Sequence, residues 1–413
     1  MRGFVVAIFA LGAVFAAPQE RDGKGFSVFN VVKFDNAECT TTDNKAGTCY
    51  SGAECTAKGG VASGNCASGF GVCCLFATST CGASSNENNT YFSQPSTLPL
   101  SCSLEICPCN SNIKQIRLDF ETFTLDGPDT TAALPVPAVA ADGAGGDTFT
   151  YTDGTQAWTS HPNTHGQCNS DYFTIGSSGT SPPVICGENA GQHMYVETDG
   201  VNCVTMTFNM ASPIAQQWSV KVAQIEEGMI WEAPKGCLQY FTGTSGSFSS
   251  FNLANNVHLA NQDYNICMRR EAGYCSISYL ATTFQVSAVD FKNNFGSGTG
   301  KCNSINLFPG DPAAPSEQLQ LGNDWIAILE GEDTVGVDTY DRFCGQQLHA
   351  NDQDAVPTSV TSSSIPFRVG VFFDDSEAAG TKAELGADDT SAIGDADRGD
   401  VGFDIGYTQN LCA

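Results

Sequence analysis

The sequence has little positive charge. It carries 18 Lys and Arg residues against 45 Asp and Glu residues, a formal net charge of −27 at pH 7. Nucleic acids and anionic membrane surfaces are bound through basic patches that contact phosphates. The charge balance therefore argues against both classes of partner, and it favours a soluble chain with weak attraction to cations or basic partners.

Long apolar runs are also scarce, with one exception at the amino terminus. Arg2 precedes an almost entirely apolar stretch, 4–15, which closes at the small residues Ala16 and Ala17. A membrane span needs roughly 20 apolar residues, whereas a secretory signal needs about 7–15 followed by small residues at the cleavage site. We therefore predict a signal peptide over residues 1–16, no membrane span, and a secreted, extracellular mature chain.

Sequence motifs of extracellular hydrolases are missing. No Gly-Asp-Ser-Gly-Gly run surrounds a serine, and no His-Glu-x-x-His sequence is present. His161 and His165 are four residues apart, but Pro162 and its polar neighbours indicate a loop instead of a helical metal pair. We predict that the protein is not an enzyme.

Signals for helices are weak throughout, because Gly, Ser, Thr, Asn and Asp are frequent. Short runs of alternating apolar residues recur between turn clusters instead. In residues 113–128, IKQIRLDFETFTLDGP, the side chains of Ile116, Leu118 and Phe120 share one face. This pattern predicts an all-β fold of antiparallel sandwiches, and about 400 mature residues suggest two or three domains.

Cysteine, in contrast, is abundant: 19 residues, none of them inside the predicted signal. In a secreted chain this content indicates a disulfide framework, and the odd number leaves at least one thiol unpaired or bonded to another chain. Six cysteines crowd into residues 39–74, a segment with few large apolar groups. Such a segment cannot fold on core packing alone, and three disulfides would close it.

The run 47–74, GTCYSGAECTAKGGVASGNCASGFGVCC, resembles the clip domain found beside arthropod serine proteases. The doubled cysteine at its end is the specific feature. We assign a clip-like module to residues 38–75. The resemblance implies that the first cysteine pairs with the fifth, the second with the fourth and the third with the sixth, which gives Cys39–Cys73, Cys49–Cys66 and Cys55–Cys74.

The rest of the chain contains a divergent repeat of about 150 residues, in blocks 80–228 and 236–413. Each block has an Asp-aromatic strand (171–176, DYFTIG; 324–329, DWIAIL), a later Cys-Gly turn and a last amphipathic strand. These features resemble the CUB domain, closely in the first block and in the later half of the second. The order of these features along the chain, together with the runs GQHMYV and HLANQDYNIC, is similar to that of secreted arthropod CUB proteins.

The CUB resemblance implies two antiparallel β-sandwiches that recruit protein or glycan partners outside cells. It also implies the disulfides Cys168–Cys186, Cys237–Cys267 and Cys302–Cys344. Cys275 begins a predicted strand and Cys412 ends the last one, so that Cys275–Cys412 is a reasonable further disulfide.

Five cysteines of the first block remain: Cys81, Cys102, Cys107, Cys109 and Cys203. Cys81 must pair with one of the three cysteines clustered at positions 102, 107 and 109, and we assign Cys81–Cys102. One of the five stays unpaired by arithmetic, and the pairing of the others remains open. We interpret Cys107-Pro108-Cys109 as part of the disulfide framework and not as a thiol-exchange or metal motif.

Calcium is the cofactor that the CUB resemblance suggests. Such sites use an acid at the end of the aromatic strand, an Asp after the third cysteine and a further Asp in a late loop, and Asp126 and Asp171 match the first two. The third is missing, because Asn209 would offer only a carbonyl oxygen. The second block has Ser287 at the position of the first acid, so that we expect no site there and predict no other cofactor.

Two short motifs concern modification and adhesion. Asn88-Asn89-Thr90 is a glycosylation sequon, and we predict a glycan on Asn88. The integrin tripeptide Arg398-Gly399-Asp400 ends an acidic loop, 374–400, but three-residue matches are common by chance and a glycine suits any turn.

The function predicted from the sequence is non-enzymatic extracellular recognition, in which an adaptor protein binds protein or glycan partners through its CUB-like domains. One alternative is a regulator of a serine-protease cascade that docks through the clip-like module. Another is a structural component of cuticle or matrix, in which the odd cysteine links chains into disulfide-bonded oligomers.

Overall fold

The computed structural model describes most of the chain from residue 33 onward. The described residues are 33–129, 137–138, 149–150, 157–158, 166–177, 181–211, 216–286, 324–332, 339–344, 348, 358–374 and 401–412. Outside them lie the predicted signal peptide, His161, His165, Ser287, Cys302, the integrin tripeptide and residues 375–400 of the acidic loop. The described residues from Asn36 onward belong to one compact unit. No helix among the described residues is long and apolar enough to span a membrane.

The amino-terminal module is a small sheet closed by disulfides. Its elements are β1 (Glu38–Thr40), β2 (Ala46–Tyr50), α1 (Gly52–Ala57), β3 (Val61–Cys66), a 3₁₀ turn (Ala67–Gly69) and β4 (Gly71–Thr78). The helix begins where the Ser51 side chain accepts a hydrogen bond from the Glu54 N–H, which satisfies one of the free donors of the first turn. A side chain at Gly60 would overlap the Cys74 sulfur, so that a glycine is required beside this disulfide.

The sheet of the module continues into the first sandwich. Strand β4 pairs in parallel with β6 (Thr90–Ser93), with Phe76 opposite Thr90. The resulting order is β1-β2-β4-β6-β15-β8-β13, where β8 is Ile113–Thr124, β13 is His193–Glu197 and β15 is Gln217–Glu226. The module is therefore hydrogen-bonded through its backbone to the strands that follow it.

A second sheet completes the first sandwich. It has the order β12-β14-β7-β5, with strands β5 (Ala83–Ser85), β7 (Ser101–Ile106), β12 (Tyr172–Gly176) and β14 (Val204–Asn209). Three two-residue strands, β9 (Pro137–Ala138), β10 (Phe149–Thr150) and β11 (Ala157–Trp158), form a separate small sheet.

The core of the first sandwich follows the alternation in β8. Ile116, Leu118 and Phe120 are all buried, as expected for side chains on one face of a strand. The register with β15 shifts around Glu121, and this bulge returns Phe123 to the core instead of Thr122.

Within the described residues, the second sandwich has nine strands. They are β16 (Gln239–Phe241), β17 (Ser245–Ser249), β18 (Gln262–Met268), β19 (Tyr274–Gln285), β20 (Trp325–Glu332), β21 (Thr339–Phe343), β22 (Val360–Ser362), β23 (Arg368–Phe373) and β24 (Gly402–Leu411). Their order is β16-β18-β23-β20-β22-β19-β24-β17, with β21 also paired to β20. Strands β20 and β22 are joined by a single residue pair, and Phe373 of β23 packs against Phe403 of β24 with ring centroids 6.3 Å apart. The all-β fold class is confirmed.

The two sandwiches share one apolar core and a polar seam. Along the seam, Tyr195 of the edge strand β13 donates its N–H to the Leu238 carbonyl at 2.7 Å. The Asn252 N–H donates to the Asn189 side-chain oxygen at 2.8 Å, and both residues are buried. Because these buried polar groups are paired across the seam, separating the sandwiches would leave them without partners.

Candidate functional site

Asp171 is a buried acceptor that holds three parts of the first sandwich together. It lies directly before β12, and its side chain is fully buried. One carboxylate oxygen accepts a hydrogen bond from the Ala211 N–H at 2.8 Å. The other accepts from the Asp126 N–H at 3.2 Å and from the Gln216 amide at 2.8 Å. Hydrogen bonds to an ionised acceptor are the stronger kind, so that this carboxylate stabilises the ends of these loops.

The same contacts decide whether Asp126 and Asp171 fit a calcium ion. Calcium takes about six to eight oxygen ligands. The Asp171 carboxylate instead accepts from three N–H groups, whose positive ends would repel a cation. The Asp126 carboxylate accepts from the Gly127 N–H at 3.1 Å, and the Asn209 side chain accepts from Ser101 at 3.3 Å. As arranged, the described residues of this cluster do not fit a calcium ion.

The cysteines that the sequence left open are separated into one disulfide and one thiol. The structure joins Cys81 to Cys102 and Cys107 to Cys203, and it leaves Cys109 as an exposed free cysteine. Glu105 lies near the sulfurs of Cys107 and Cys203, but both sulfurs are consumed by the disulfide and are poor metal ligands. Burial raises the pKa of the Cys109 thiol, and the Glu226 carboxylate raises it further.

The structure contains other disulfides at positions that the resemblances imply. Those of the amino-terminal module are Cys39–Cys73, Cys49–Cys66 and Cys55–Cys74. Those of the sandwiches are Cys168–Cys186 and Cys237–Cys267, and the structure also contains Cys275–Cys412, which was predicted from the positions of the two cysteines on strands. Cys344 is also disulfide-bonded, and its predicted partner Cys302 lies outside the described residues.

Asn88, the predicted glycosylation site, is half-buried in the loop before β6. Its side-chain oxygen accepts hydrogen bonds from the Asn89 N–H at 2.9 Å and the Gln224 N–H at 2.8 Å. Among the described residues its amide nitrogen, the atom that would carry a glycan, donates no hydrogen bond. Thr90 of the sequon is buried, and its hydroxyl donates to the Glu87 carbonyl at 2.8 Å.

A pocket of about 410 Å³ lies at the seam between the sandwiches. Phe241 and Phe248 supply apolar walls, and Glu188 and Asp404 supply carboxylates. Neither carboxylate forms an ion pair with any side chain in the described part of the chain. The pocket residues come from separate segments with no common motif, so that the sequence could not indicate them.

His193, which also lines this pocket, is uncharged at neutral pH. Burial, and secondarily the neighbouring Arg117 guanidinium, lowers the pKa of His193 to about 4. Its Nε2 accepts a hydrogen bond from the Tyr240 N–H at 3.1 Å, which ties β13 to β16. The polar groups that line the pocket are already engaged within the chain, since the Glu188 carboxylate accepts from the Thr124 hydroxyl and the Asp404 carboxylate from the Thr282 hydroxyl.

Sequence comparison connects the second sandwich to a known family. The family described as the animal CUB domain matches residues 234–410, the block whose first half resembles the CUB pattern less closely. A search of the curated proteins finds no match. The fold as a whole is CUB-like, with many disulfides in the amino-terminal region.

Structural comparison gives only distant similarity. The CUB1-EGF-CUB2 domain of human MASP-1/3 aligns at 12% identity and a TM-score of 0.21, over 78% of this chain and 98% of that one. The CUB1-EGF-CUB2 domains of rat MASP-1 align at 11% identity and a TM-score of 0.21, over 79% and 99%. The extracellular region of zebrafish Gpr126/Adgrg6 aligns at 11% identity and a TM-score of 0.22, over 79% and 36%. Scores this low carry no argument about function.

Proposed function

We propose, from the match of residues 234–410 to the animal CUB family, that the chain is a secreted, non-enzymatic protein that recognises protein or glycan partners outside cells. CUB domains generally mediate extracellular protein–protein interaction and are typically binding modules without catalytic activity. Because a fold alone does not define a function, the proposal needs support from the structure of this chain.

The continuity of the scaffold also supports the proposal. The amino-terminal module shares a sheet with the first sandwich through β4 and β6, and one apolar core runs through both sandwiches. Eight disulfides between described cysteines hold this scaffold together. A scaffold held in this way presents its loops in fixed positions, which lowers the entropy lost when a partner binds.

Charge favours basic partners. The formal net charge of −27 gives the protein a negative field that speeds encounter with positively charged surfaces and suppresses encounter with acidic ones. We expect association rates to fall as the salt concentration rises.

Two narrower functions each have one supporting observation. The exposed Cys109 thiol favours a disulfide-linked oligomer in a matrix. The disulfide order of the amino-terminal module, with Val61 and Phe70 exposed on its surface, favours docking of that module onto a protease.

A capture experiment tests the proposal. The mature protein, residues 17–413, is immobilised and exposed to extracellular fluid from the source animal, with and without a calcium chelator. Bound proteins are identified by mass spectrometry, with reduced and alkylated protein as the unfolded control. Reproducible capture of one partner by the folded form alone is the expected result. Absence of capture together with reducible oligomers on a denaturing gel would overturn recognition in favour of a structural role.

A further inference from the structure

Three consecutive large apolar residues are exposed between β15 and β16. Met229, Ile230 and Trp231 expose 42%, 65% and 59% of their surface, and we name them the apolar loop. Single exposed apolar residues are ordinary, but a contiguous exposed group that includes a tryptophan is typical of a protein-binding surface.

The apolar loop is a hydrogen-bonded turn. The Met229 N–H donates to the Glu226 carbonyl at 3.2 Å, and the Glu232 N–H donates to the Met229 carbonyl at 3.0 Å. The Glu232 carboxylate accepts from the Gly228 N–H at 2.6 Å, and Gly228 has φ 81°, a conformation that suits glycine. The exposure of the loop therefore belongs to an ordered turn.

Both ends of the loop are anchored to the beginning of β8 and the residue before it. On one side the Glu227 N–H donates to the Asn112 carbonyl at 3.0 Å. On the other, buried Gln115 exchanges two hydrogen bonds with the Ala233 backbone, at 2.9 Å to its N–H and 2.8 Å to its carbonyl. Anchoring at both ends presents the apolar side chains at little further entropy cost on binding.

Val201, which exposes 76% of its surface, lies at the same end of the sandwich. Its neighbour Gly200 packs closely on the 110–113 turn. A Cβ at Gly200 would stand 2.6 Å from the Ser111 carbonyl oxygen and 2.9 Å from the Ile113 carbonyl oxygen. The Asp199 carboxylate fixes this second turn by accepting from the Val201 N–H at 2.8 Å. Two ordered turns thus present apolar side chains on either side of the 110–113 turn.

Acidic residues flank the apolar loop along the chain. Glu226, Glu227 and Glu232 lie in the same segment, and Glu227 is exposed. The basic side chains near this segment are Lys114 and Lys235, so that the carboxylates outnumber them. An apolar centre with an acidic rim complements a basic segment that carries apolar side chains, and it disfavours anionic lipid.

We infer that the apolar loop, together with Val201, is a docking surface for a partner protein segment that combines apolar side chains with Lys or Arg. The inference rests on the proposed recognition function and names the chemistry of one partner. Met229, Ile230 and Trp231 contact the apolar side chains of that segment, and Glu227 faces its basic ones.

The test uses the full mature chain and a defined probe, a labelled synthetic peptide of alternating Lys and Leu. Comparison peptides alternate Lys with Ser or Glu with Leu, and zwitterionic lipid vesicles and the protein itself are tested as other occupants. The variants are the double substitution I230S/W231A, the charge reversal Glu227→Lys, and, as a control, Leu100→Ser at an exposed leucine outside the proposed surface (81% exposed). Thermal unfolding verifies that each variant folds.

We expect the Lys-Leu peptide to bind the unaltered chain, and I230S/W231A to weaken binding by about 30-fold. Glu227→Lys should weaken it by about 3-fold or more and flatten its salt dependence, whereas Leu100→Ser should leave it unchanged. Equal binding of I230S/W231A, or preference for the Glu-Leu peptide, would overturn the inference. So would variant-sensitive binding to vesicles or variant-sensitive self-association, since each identifies a different occupant.

The capture experiment separates failure of this surface from failure of the proposed function. If the unaltered chain captures a partner from extracellular fluid and I230S/W231A captures it equally well, recognition holds and this surface does not carry it. If the unaltered chain captures nothing, the recognition proposal fails with it.

Discussion

Substitution of Asp171 by asparagine tests whether this carboxylate is a structural acceptor. The change keeps the size of the side chain and one acceptor oxygen but removes the charge. In the wild type the carboxylate accepts hydrogen bonds from the Asp126 N–H, the Ala211 N–H and the Gln216 amide. Asparagine has a single acceptor oxygen, so that it can accept only from the donors that reach that oxygen. Its NH₂ group takes the place of the other carboxylate oxygen and faces an N–H donor, from which it cannot accept.

The magnitude follows from these contacts. A hydrogen bond to a charged group is worth about 1.5–3 kcal/mol net, and two of the three described donors lose or weaken theirs. We therefore expect Asp171→Asn to lower the free energy of unfolding by about 3 kcal/mol, which for a single compact unit of this size corresponds to a Tm lower by roughly 4 °C. The half-exposed Asp126 carboxylate accepts only from the Gly127 N–H among the described residues, so that Asp126→Asn should cost less than about 1 kcal/mol.

Thermal and denaturant unfolding of the two variants and the wild type, each with calcium and with a chelator, measures these effects. If the carboxylate is a structural acceptor, calcium leaves the Tm of every form unchanged. A calcium-dependent rise in the wild-type Tm that disappears in both variants would refute this reasoning, because it would show that the two carboxylates bind the ion. A Tm for Asp171→Asn equal to that of the wild type would refute it as well.

Three further predictions concern other parts of the chain. Gly60→Ala places a methyl group against Cys74 Sγ and 2.8 Å from Phe76, so that we expect the disulfides of the module not to form correctly, as measured by peptide mapping. The control Gly52→Ala should be neutral, because nothing lies within 4 Å of a Cβ at that position. Cys109→Ser should remove one titratable thiol and any reducible oligomer without lowering the Tm. Because the pKa of this thiol is raised, its alkylation in the wild type should be slow at neutral pH and accelerate as the pH rises. A reducible oligomer that persists in the variant would contradict this assignment. The folded-state pKa of His193, about 4, lies below its ordinary value of 6.5, so the unfolded chain binds more protons between these values and stability must fall as pH falls from 6.5 to 4. This group accounts for about 3 kcal/mol of that loss, and His193→Gln should flatten the pH dependence of unfolding; an unchanged slope would show that the imidazole does not carry it.

Disulfide pairing shows where sequence reasoning succeeds and where it stops. In the amino-terminal module, six cysteines in one short segment and a doubled cysteine at its end are local features, and a resemblance can be read from them. Cys107 and Cys203 are 96 residues apart, and nothing near either residue indicates the other. Strands β7 and β14 pair with Ile106 opposite Val204, and this register brings the two cysteines to a Cα separation of 4.1 Å.

The candidate sites show the same division. Asp171 could be picked out from its position after Cys168, but its contacts depend on Ala211 and Gln216, which reach it only through the fold. Met229, Ile230 and Trp231 have the composition of a buried segment. Their exposure follows from anchors at Asn112 and Gln115, which lie more than a hundred residues earlier.

The sequence by itself determined the fold class, the dependence on disulfides and the acidic character of this protein. Alternation, cysteine content and charge are properties of short segments or of composition, and they keep their meaning before the chain folds. Only the tertiary structure decided that Cys107 meets Cys203, that Asp171 serves backbone donors, and that the apolar loop faces solvent. Each of these depends on strand registers and long-range contacts, and a shift of one residue in a register would move every side chain of that strand to the opposite face.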